Sequence, residues 1–269
     1  MSVNVTDFRE RYGPVAVVTG ASSGIGRAFA RQLAQWGFDL VLVARRVERL
    51  RALADEMGTA HGTQSTILDL DLADPGAVQA ILDATASLDV GLVISNAGFG
   101  FKGEHTQADG QLLIDILTVN SHMPMMLSHG FIPRLKARGK GGIIMISSVE
   151  GLMGAPYSAV YGASKAFVNS LGEALWAEMS PEGIDILTIC PGATDTEAPA
   201  KQGIDPATMV AVMQPEEVAL FSFENITNGP VLVSSDYYRE MFEQMTAMPR
   251  RDALTAMAGA IKSAITQQG

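Results

Sequence analysis

The sequence predicts an α/β fold, a doubly wound parallel sheet of seven strands with helices on both faces. Two observations indicate this class. Short runs rich in Val and Ile alternate along the chain with longer segments of helical periodicity. The apolar runs are continuous, as is typical of strands that are buried on both faces of a parallel sheet. The 269 residues contain no linker, internal repeat or shift in composition, so we expect a single domain over residues 1–269.

The predicted strands follow one another at the spacing of repeated strand–helix units. In chain order they are Val15–Val18, Leu40–Val43, Ser65–Leu68, Val90–Ile94, Ile143–Ile146, Ile184–Ile189 and Val231–Val233. The residues that share one face of the first connecting helix are Ile25, Ala28, Phe29, Leu33 and Trp36, and Gly37 ends it. Short connections of this kind predict right-handed crossovers.

Two segments depart from this pattern. Residues 193–214 form a long connection that leads into a helix beginning near Pro215, and long loops in compact domains are usually functional, so we interpret it as a substrate loop. After the last strand, a helical extension over about 236–266 is predicted to contain the helices Tyr237–Met245 and Asp252–Ile265. This extension is either a packed cap or a surface for a partner or pocket lid.

Composition excludes several classes of function. A net charge of −10 argues against a nucleic-acid partner. No apolar run approaches the ~20 residues that cross a bilayer, and residues 1–13 lack the apolar core of a signal peptide. The only cysteine, Cys190, lies in an apolar run, which favours an inert strand residue and a reducing, cytoplasmic location. The four histidines lack metal-ligand spacing, so no metal is expected.

A glycine-rich turn joins the first strand to the first connecting helix. Glycines permit a tight turn and a close approach to a pyrophosphate, which the helix N-terminus stabilises. The turn predicts a Rossmann-like dinucleotide site that includes Gly20, Ser22, Ser23, Gly24, Ile25 and Gly26. A tight turn without a ligand is the alternative, but its place between a strand and a helix favours the binding site.

The end of the second strand discriminates between the two nicotinamide cofactors. An NAD site has a carboxylate there for the ribose 2′-hydroxyl, whereas this chain has Arg45 and Arg46. Guanidinium groups match a 2′-phosphate, which favours NADP(H) over NAD(H). The alternative is that both arginines belong to a solvated run with Arg49 and Arg51.

The third and fourth strands end in further candidate cofactor residues. Asp71 and Leu72 are placed to cover the adenine, with Asp71 accepting from its amino group. Asn96, Ala97 and Gly98 form a turn of small residues, which suits approach to the nicotinamide ribose. Their position at carboxyl ends of successive strands supports this interpretation, because open α/β sheets bind ligands there.

Tyr161 and Lys165 lie four residues apart on one face of a predicted helix. A nearby ammonium favours the phenolate, so we expect the pKa of Tyr161 to fall toward neutral pH, where acid–base exchange is efficient. Of two upstream hydroxyls, we choose Ser148 to receive a carbonyl oxygen and interpret Ser147 as a strand-end residue. A chance Tyr–Lys pair on a solvated helix is the alternative.

Together these residues resemble the classical short-chain dehydrogenase/reductase (SDR) family. The glycine spacing is GxxxGxG, Asn96-Ala97-Gly98 matches most of an NNAG turn with Ser95 replacing its first Asn, and Tyr161 with Lys165 matches the YxxxK pair. Residues that the resemblance adds are Asn120, which it implies anchors a water, and the turn over the nicotinamide formed by Pro191, Gly192, Thr194 and Thr196. The resemblance also supports the choice of Ser148 by its spacing before Tyr161.

The resemblance implies an NADP(H)-dependent interconversion of a carbonyl (ketone or aldehyde) and an alcohol, with Asn120, Ser148, Tyr161 and Lys165 as the catalytic residues. Residues expected near the substrate are mostly apolar and favour a hydrophobic one. They are Phe99, Phe101, Ser148, Val149, Glu150, Met153 and Tyr157. Because Lys102 and Lys201 stand nearby, a 3-oxoacyl thioester stays open as a substrate. The helices around Leu112–Arg138 and Ala159–Met179 carry apolar residues on more than one face, and the family often pairs such helices, so a homodimer or homotetramer is expected.

Three rival functions are considered. A non-catalytic NADP-binding redox sensor can share the fold, since fold does not dictate activity. A sugar-nucleotide epimerase or dehydratase shares the Tyr–Lys pair, but that branch has a tighter glycine spacing and a larger substrate domain. A purely structural dimerisation module gives no reason for a glycine-rich site.

Overall fold

One sheet of parallel strands organises the chain. A computed structural model describes residues 3–266, apart from the side chains of residues 206 and 263–266. The strands are β1 (Val15–Thr19), β2 (Asp39–Ala44), β3 (Ser65–Asp69), β4 (Val90–Ser95), β5 (Gly141–Ile146), β6 (Ile184–Cys190) and β7 (Val231–Val233). Their order across the sheet is β3-β2-β1-β4-β5-β6-β7, and every neighbouring pair is parallel. The predicted doubly wound seven-stranded sheet is confirmed.

Helices cover both faces of this sheet. Their bounds are α1 (Val5–Tyr12), α2 (Gly24–Gln35), α3 (Val47–His61), α4 (Ala77–Ala84), α5 (Gly110–Leu117), α6 (Met123–Arg138), α7 (Ala159–Met179), α8 (Glu197–Lys201), α9 (Pro215–Glu224), α10 (Asp236–Ala247) and α11 (Arg250–Thr266). Helix α2 ends just before Gly37, whose φ of 79° is left-handed, which is why a glycine stands there.

Strand residues alternate between two apolar cores. Ala16 and Val18 face the core beneath α1, α2, α3 and α9, whereas Val15 and Val17 face the core beneath α4, α6 and α7. In the first core, the Phe223 ring lies 5.1 Å from that of Phe29, centroid to centroid, in an edge-to-face arrangement. Burial on both faces explains why the strands read as continuous apolar runs.

Helix α1 was not predicted from the sequence. Its exposed surface is polar, but Phe8 and Tyr12 are buried on its inner face. The Asn4 side chain accepts hydrogen bonds from the backbone N–H groups of Thr6 and Asp7, and so caps the helix. Two buried residues in a helix of eight were too weak a periodic signal.

The stretch predicted as one long helix over Leu112–Arg138 is interrupted. Residues Thr118–His122 between α5 and α6 form a π-helical turn, in which the Met123 N–H donates to the Thr118 carbonyl. Pro124 has no N–H, so the regular hydrogen bond to the Asn120 carbonyl cannot form. Wide turns of this kind are frequent at functional sites, and this one contains Asn120.

The C-terminal helices make a smaller core beside the carboxyl end of the sheet. Phe242 of α10 and Ala253 of α11 pack with Val149, Met153 and Cys190. This packing brings the tail of the chain next to the segment that follows β5. Within the described part of the chain, no helix combines the length and apolar character that crossing a bilayer requires.

Candidate active site

The four candidate catalytic residues come from three separate elements. Asn120 lies in the π turn, Ser148 follows β5, and Tyr161 and Lys165 lie in the first two turns of α7. The Lys165 Nζ is 5.7 Å from the centroid of the Tyr161 ring. A Cβ placed on Gly98 would lie 3.1 Å from both Asn120 Oδ1 and Lys165 Nζ. The fold therefore brings the predicted residues together around the turn that follows β4.

The Asn120 side chain holds that turn in place. Its Nδ2 donates to the Phe99 carbonyl at 2.9 Å and to Ser164 Oγ at 3.0 Å, and its Oδ1 accepts from the Phe99 N–H at 3.1 Å. Both N–H donors of the amide and one acceptor site of its oxygen are thereby used. Asn120 thus positions the backbone of Phe99, next to where the cofactor ribose was predicted.

Ser147 and Ser148 have different surroundings. The Ser147 hydroxyl donates to the Lys165 carbonyl at 2.9 Å, and both residues are buried. Ser148 Oγ accepts from the Glu150 N–H at 3.2 Å, which leaves its own O–H to donate elsewhere. Ser147 therefore fastens β5 to α7, and Ser148 is the hydroxyl suited to a substrate oxygen.

The pKa of Tyr161 moves in the opposite direction from the sequence-based expectation. Burial raises it well above the ordinary value, the negative charge of Glu150 raises it further, and hydrogen bonding by Ser148 offsets part of the rise. Burial also lowers the pKa of Lys165 to about 8, and its Nζ donates to the Ile146 carbonyl at 2.8 Å. The predicted lowering by Lys165 was wrong for this state, because desolvation of the phenol dominates its pKa and Lys165 is not among the groups that shift it.

The glycine-rich turn fits tightly against the end of β4. Thr19 Oγ1 accepts from the N–H groups of Asn96 and Ala97 at 3.0 and 3.1 Å, and Asn96 Nδ2 donates to the Thr19 carbonyl at 2.9 Å. A Cβ on Gly26 would lie 2.4 Å from the Gly20 carbonyl oxygen. Thr19 was not among the predicted site residues, although it organises the two cofactor turns.

The same turn fits the pyrophosphate of a dinucleotide. Gly20 and Gly24 have φ values of 67° and 53°, which favour glycine. Within the described chain, no side-chain hydrogen bond from Ser23 caps α2, so its first N–H groups remain available to an anion. Ile25 lies in this first helical turn and packs partly buried against the first core.

The two predicted arginines lie at the carboxyl end of β2 in different environments. Arg46 Nη2 donates to Ser22 Oγ at 3.0 Å and to Ser23 Oγ at 2.5 Å. Arg45 makes a 3.3 Å ion pair with Asp71, whose other oxygen accepts from the Ala73 N–H. The solvated-run alternative does not describe Arg46, because this guanidinium is held against the glycine-rich turn. Leu72, beside Asp71, is buried.

The segment after β6 lies between the loop that carries Ser148 and the glycine-rich turn. The Pro191 carbonyl accepts from the Val149 N–H at 3.1 Å, and Thr194 Oγ1 donates to the Gly192 carbonyl at 3.1 Å. Thr196 caps α8, and its Cγ2 would lie 3.0 Å from a Cβ on Gly24. Backbone hydrogen bonds therefore connect this segment to the loop that carries Ser148.

Tyr238 of α10 was not predicted as a site residue. Its ring packs on Gly192, where an added Cβ would lie only 2.0 Å from Tyr238 Cδ2. The hydroxyl donates to the Val210 carbonyl at 3.0 Å. Tyr238 thus joins the C-terminal extension to both ends of the loop over 193–214, a contact that no local sequence signal indicates.

The predicted substrate residues divide into two groups. Glu150 makes a 2.5 Å ion pair with Lys102, and its Oε2 is buried without a hydrogen-bond partner among the described residues. Tyr157 has a φ of 59°, and its carbonyl accepts from the Gly103 N–H at 2.8 Å. Met153, in contrast, is 4% exposed and packs in the C-terminal core, and its interpretation as a substrate residue stays a prediction.

The two aromatic residues after the Asn96 turn complete this region. Phe99 packs partly buried on the second core, and the Phe101 ring packs over Gly103. A Cβ on Gly100, between them, would lie 2.8 Å from the Tyr161 ring. Close packing of this loop on Tyr161 therefore depends on a residue without a side chain.

Two other observations concern side chains outside the predicted reaction. Burial raises the pKa of Cys190 to about 12, and its thiol donates to Asn169 Oδ1 at 3.3 Å. Cys190 is therefore a neutral thiol rather than a nucleophile. In the part of the chain that the structure describes, no three His, Cys, Asp or Glu side chains are grouped as metal ligands.

Comparison with known proteins identifies the class to which this fold and site belong. The profile of the short chain dehydrogenase family matches residues 14–206. The 7beta-hydroxysteroid dehydrogenase of Clostridium sardiniense is 31% identical over 252 residues, which cover 93% of this chain and 97% of that protein. The chain belongs to the short-chain dehydrogenase family, and it is an oxidoreductase.

Solved structures support the same assignment. One of a 7beta-hydroxysteroid dehydrogenase, studied for its stereoselectivity, superposes with a TM-score of 0.86 at 27% identity, over 93% of this chain and 98% of the other. A short-chain dehydrogenase from Sphingobium yanoikuyae in complex with NADPH gives 0.80 at 32% identity, over 91% and 95%. One from Burkholderia phymatum in complex with NAD gives 0.77 at 26%, over 87% and 93%. These similar proteins thus include complexes with each of the two cofactors.

Proposed function

We propose that this chain is an NADP(H)-dependent oxidoreductase that interconverts a ketone and a secondary alcohol on a large, hydrophobic, steroid-like substrate. The observation that carries the proposal is the convergence of Asn120, Ser148, Tyr161 and Lys165 around the Asn96–Gly98 turn, which packs against the glycine-rich turn. Similarity to hydroxysteroid dehydrogenases over nearly the whole chain supports the choice of substrate class. The assignment treats residues 1–269 as one functional domain.

The proposed chemistry assigns one task to each side chain. The bound nicotinamide supplies the hydride to the carbonyl carbon, or accepts it in the reverse direction. Ser148 donates a hydrogen bond to the carbonyl oxygen as negative charge develops there, and Tyr161 gives that oxygen its proton. The raised pKa of Tyr161 keeps the phenol protonated before reaction. Lys165, when charged, stabilises the phenolate that remains.

Two further roles rest on the family resemblance. Lys165 holds the ribose hydroxyls, and Asn120 anchors a water that relays protons to Lys165. The Asn120 amide is occupied by Phe99 and Ser164, whereas its main-chain carbonyl lacks the regular helical donor because residue 124 is proline. We therefore assign the water to that carbonyl rather than to the side chain.

The preference for NADP(H) is argued from Arg46. Its guanidinium lies at 2.5–3.2 Å from Ser22 and Ser23, which the glycine-rich turn places beside the predicted adenosine ribose. A 2′-phosphate gains from such a group because the charge-assisted hydrogen bonds are strong and can be bidentate. Arg45 supports the NADP(H) preference less strongly, because it is 68% exposed and paired with Asp71.

The substrate is proposed to be apolar with at least one hydroxyl group. Phe99, Phe101 and Tyr157 supply apolar surface, and Glu150 Oε2 is one buried acceptor without a partner among the described groups. Both lysines that left an acyl thioester open are paired with carboxylates, Lys102 with Glu150 and Lys201 with Glu197. The charge of Lys102 is therefore already compensated, and Lys201 lies in the arginine cluster at the predicted 2′-phosphate site, which argues against a role of either lysine in binding a phosphorylated acyl carrier.

A non-catalytic NADP-binding sensor remains the second candidate. A sensor has no need for a hydroxyl, a phenol and an ammonium that converge on one point. The three are brought together from β5 and α7 by buried contacts such as the hydrogen bond from Lys165 to Ile146. Such contacts are costly to build unless the groups are used, because a buried ammonium carries a desolvation penalty.

A homodimer or homotetramer is proposed from exposed apolar residues on α5 and α7. Ile114, Leu117 and Phe167 are 57%, 46% and 41% exposed, and the two helices are adjacent. Apolar side chains grouped on neighbouring helices commonly mark a protein–protein interface. The proposed cytoplasmic location rests on the single free cysteine, Cys190.

The test is reduction of a panel of ketosteroids, bulky ketones, aldehydes and 3-oxoacyl thioesters with NADPH and with NADH. Tyr161→Phe should reduce kcat by ~10²–10⁴ while cofactor binding persists. Tyr237→Phe is the matched control, because it removes the same hydroxyl from a tyrosine that is 49% exposed. Full activity of Tyr161→Phe would refute the mechanism. Absence of turnover by the wild type with every substrate would favour the sensor.

A further inference from the structure

One carboxylate lies at the predicted 2′-phosphate site. Glu197 Oε2 accepts from Arg46 Nη1 at 2.6 Å and from Lys201 Nζ at 2.7 Å, and its Oε1 accepts from Arg49 Nη1. These hydrogen bonds hold the pKa of Glu197 far below its ordinary range, with Lys201 contributing most, then Arg49 and Arg46. The carboxylate is therefore ionised at neutral pH.

Glu197 belongs to the substrate loop, whereas its arginine partners do not. It is the first residue of α8, within the connection over 193–214, and Arg46 and Arg49 flank the start of α3. Arg46 donates through its other two nitrogens, Nε and Nη2, to Ser22 and Ser23. One guanidinium thus contacts the glycine-rich turn and the substrate loop at the same time.

A carboxylate and a phosphate satisfy guanidinium donors in the same way, through anionic oxygens at hydrogen-bond distance. The cluster contains three cations and one anion, so an excess of positive charge remains to attract a phosphate. However, Arg46 already donates through all three of its nitrogens. A phosphate bound to the same arginines would also lie close to the negative charge of Glu197.

We propose that Glu197 is a specificity-determining residue that occupies the 2′-phosphate site in its absence and must release Arg46 and Arg49 when NADP(H) binds. Glu197 therefore weakens the binding of 2′-phosphorylated cofactors without affecting unphosphorylated ones. Release of α8 also couples the position of the substrate loop to the cofactor that is bound. This inference rests on the proposed preference for NADP(H).

The size of the effect follows from the exposure of the pairs. The side chains of Arg46, Arg49 and Lys201 are 36%, 50% and 62% exposed, and exposed ion pairs are individually weak. Replacing Glu197 by glutamine keeps the shape and removes the charge. We expect Glu197→Gln to tighten binding of a 2′-phosphorylated nucleotide by about 3- to 30-fold.

The experiment uses 2′,5′-ADP and 5′-AMP, which differ in the 2′-phosphate, and measures their Kd by calorimetry on the full chain. No turnover is needed. Glu197→Gln should lower the Kd of 2′,5′-ADP by the factor given above and change the Kd of 5′-AMP by less than about twofold. The matched control is Glu48→Gln, which removes a carboxylate paired with Arg51 on the same helix α3 and should change neither Kd. Unfolding temperatures verify that each variant is folded.

Hydrogen exchange supplies an independent readout of loop release. In the wild type, amides 197–202 should exchange faster with 2′,5′-ADP than with 5′-AMP. An unchanged or weaker affinity of Glu197→Gln for 2′,5′-ADP would overturn the proposal, as would slower exchange of these amides. If the wild type prefers 2′,5′-ADP and the variant merely keeps that preference, only the role of Glu197 fails. Equal affinities for both nucleotides in both proteins would overturn the NADP(H) assignment as well.

Discussion

Adding one methyl group should change the stability of the protein differently at the cofactor turn and at an ordinary helix position. Gly26 in α2 and Gly58 in α3 are both helical glycines with φ outside the left-handed region. Replacing a glycine by alanine within a helix normally stabilises a protein by roughly 0.5–1 kcal/mol. Because that gain is common to both positions, the difference between the two variants reports only what each methyl group contacts.

The surroundings of the two methyl groups differ sharply. A Cβ on Gly58 would lie 3.6 Å from the Thr63 carbonyl oxygen, an ordinary contact, whereas a Cβ on Gly26 would lie 2.4 Å from the Gly20 carbonyl oxygen and 2.5 Å from Asn96 Nδ2. Overpacking of this kind typically costs about 1–3 kcal/mol. The Gly26→Ala protein should therefore be less stable than the Gly58→Ala protein by about that amount.

Thermal unfolding of both variants measures this difference. For a chain of this size, 1 kcal/mol corresponds to about 2–4 °C in Tm, so Gly58→Ala should unfold about 3–10 °C above Gly26→Ala and slightly above the wild type. Gly26→Ala should also weaken 5′-AMP binding, because relief of the clash moves the Gly20 peptide. Equal Tm values for the two variants, with 5′-AMP affinity unchanged, would refute the packing described for the cofactor turn.

Three further predictions concern packing, titration and assembly. Gly172→Ala should destabilise the protein by about 1–3 kcal/mol, because the added Cβ would lie 1.9 Å from Thr188 Oγ1. Adding Thr188→Ala should restore the lost stability in a double-mutant cycle. Additive effects of the two substitutions would contradict the contact. Burial lowers the pKa of Lys165 in the folded protein to about 8, so the charged ammonium destabilises the folded state below that pH. This destabilisation is lost as the pH rises and Lys165 loses its proton. The excess stability of Lys165→Met in urea unfolding should therefore shrink by about 2 kcal/mol between about pH 7.5 and about pH 9.5, and a constant difference would contradict the lowered pKa. Leu117→Asp should shift the chain toward monomer in sedimentation, whereas Leu220→Asp, at a residue that is 40% exposed on α9, should not; an unchanged mass for both would exclude the proposed interface.

The sheet was predictable because its signal is local and strong. Strands buried on both faces leave uninterrupted apolar runs, and β7, the shortest strand, was recognised with the correct bounds, Val231–Val233. Tyr161 and Lys165 were also recognised from a local signal, because residues four apart on a helix lie on the same face.

Other features depend on contacts between distant parts of the chain. Glu197 and Arg46 are 151 residues apart, and Tyr238 meets Gly192 only because α10 packs beside β7. The pKa of Tyr161 depends on how completely the fold removes water from the phenol, which spacing cannot indicate. Sequence alone did not show that Met153 packs with the C-terminal helices, because pockets and cores use the same apolar side chains.

The π turn fixes the rotational relation between two halves of one helical path. A regular α-helix turns by about 100° per residue, whereas a π turn absorbs one extra residue within a single turn. Winding all of Thr118–His122 as regular α-helix would therefore rotate α5 against α6 by about that angle. Either Asn120 would then face away from Phe99, or Leu127 and Phe131 would leave the core. The π turn therefore reconciles two demands on orientation, since it keeps Asn120 on Phe99 while Leu127 and Phe131 stay in the core.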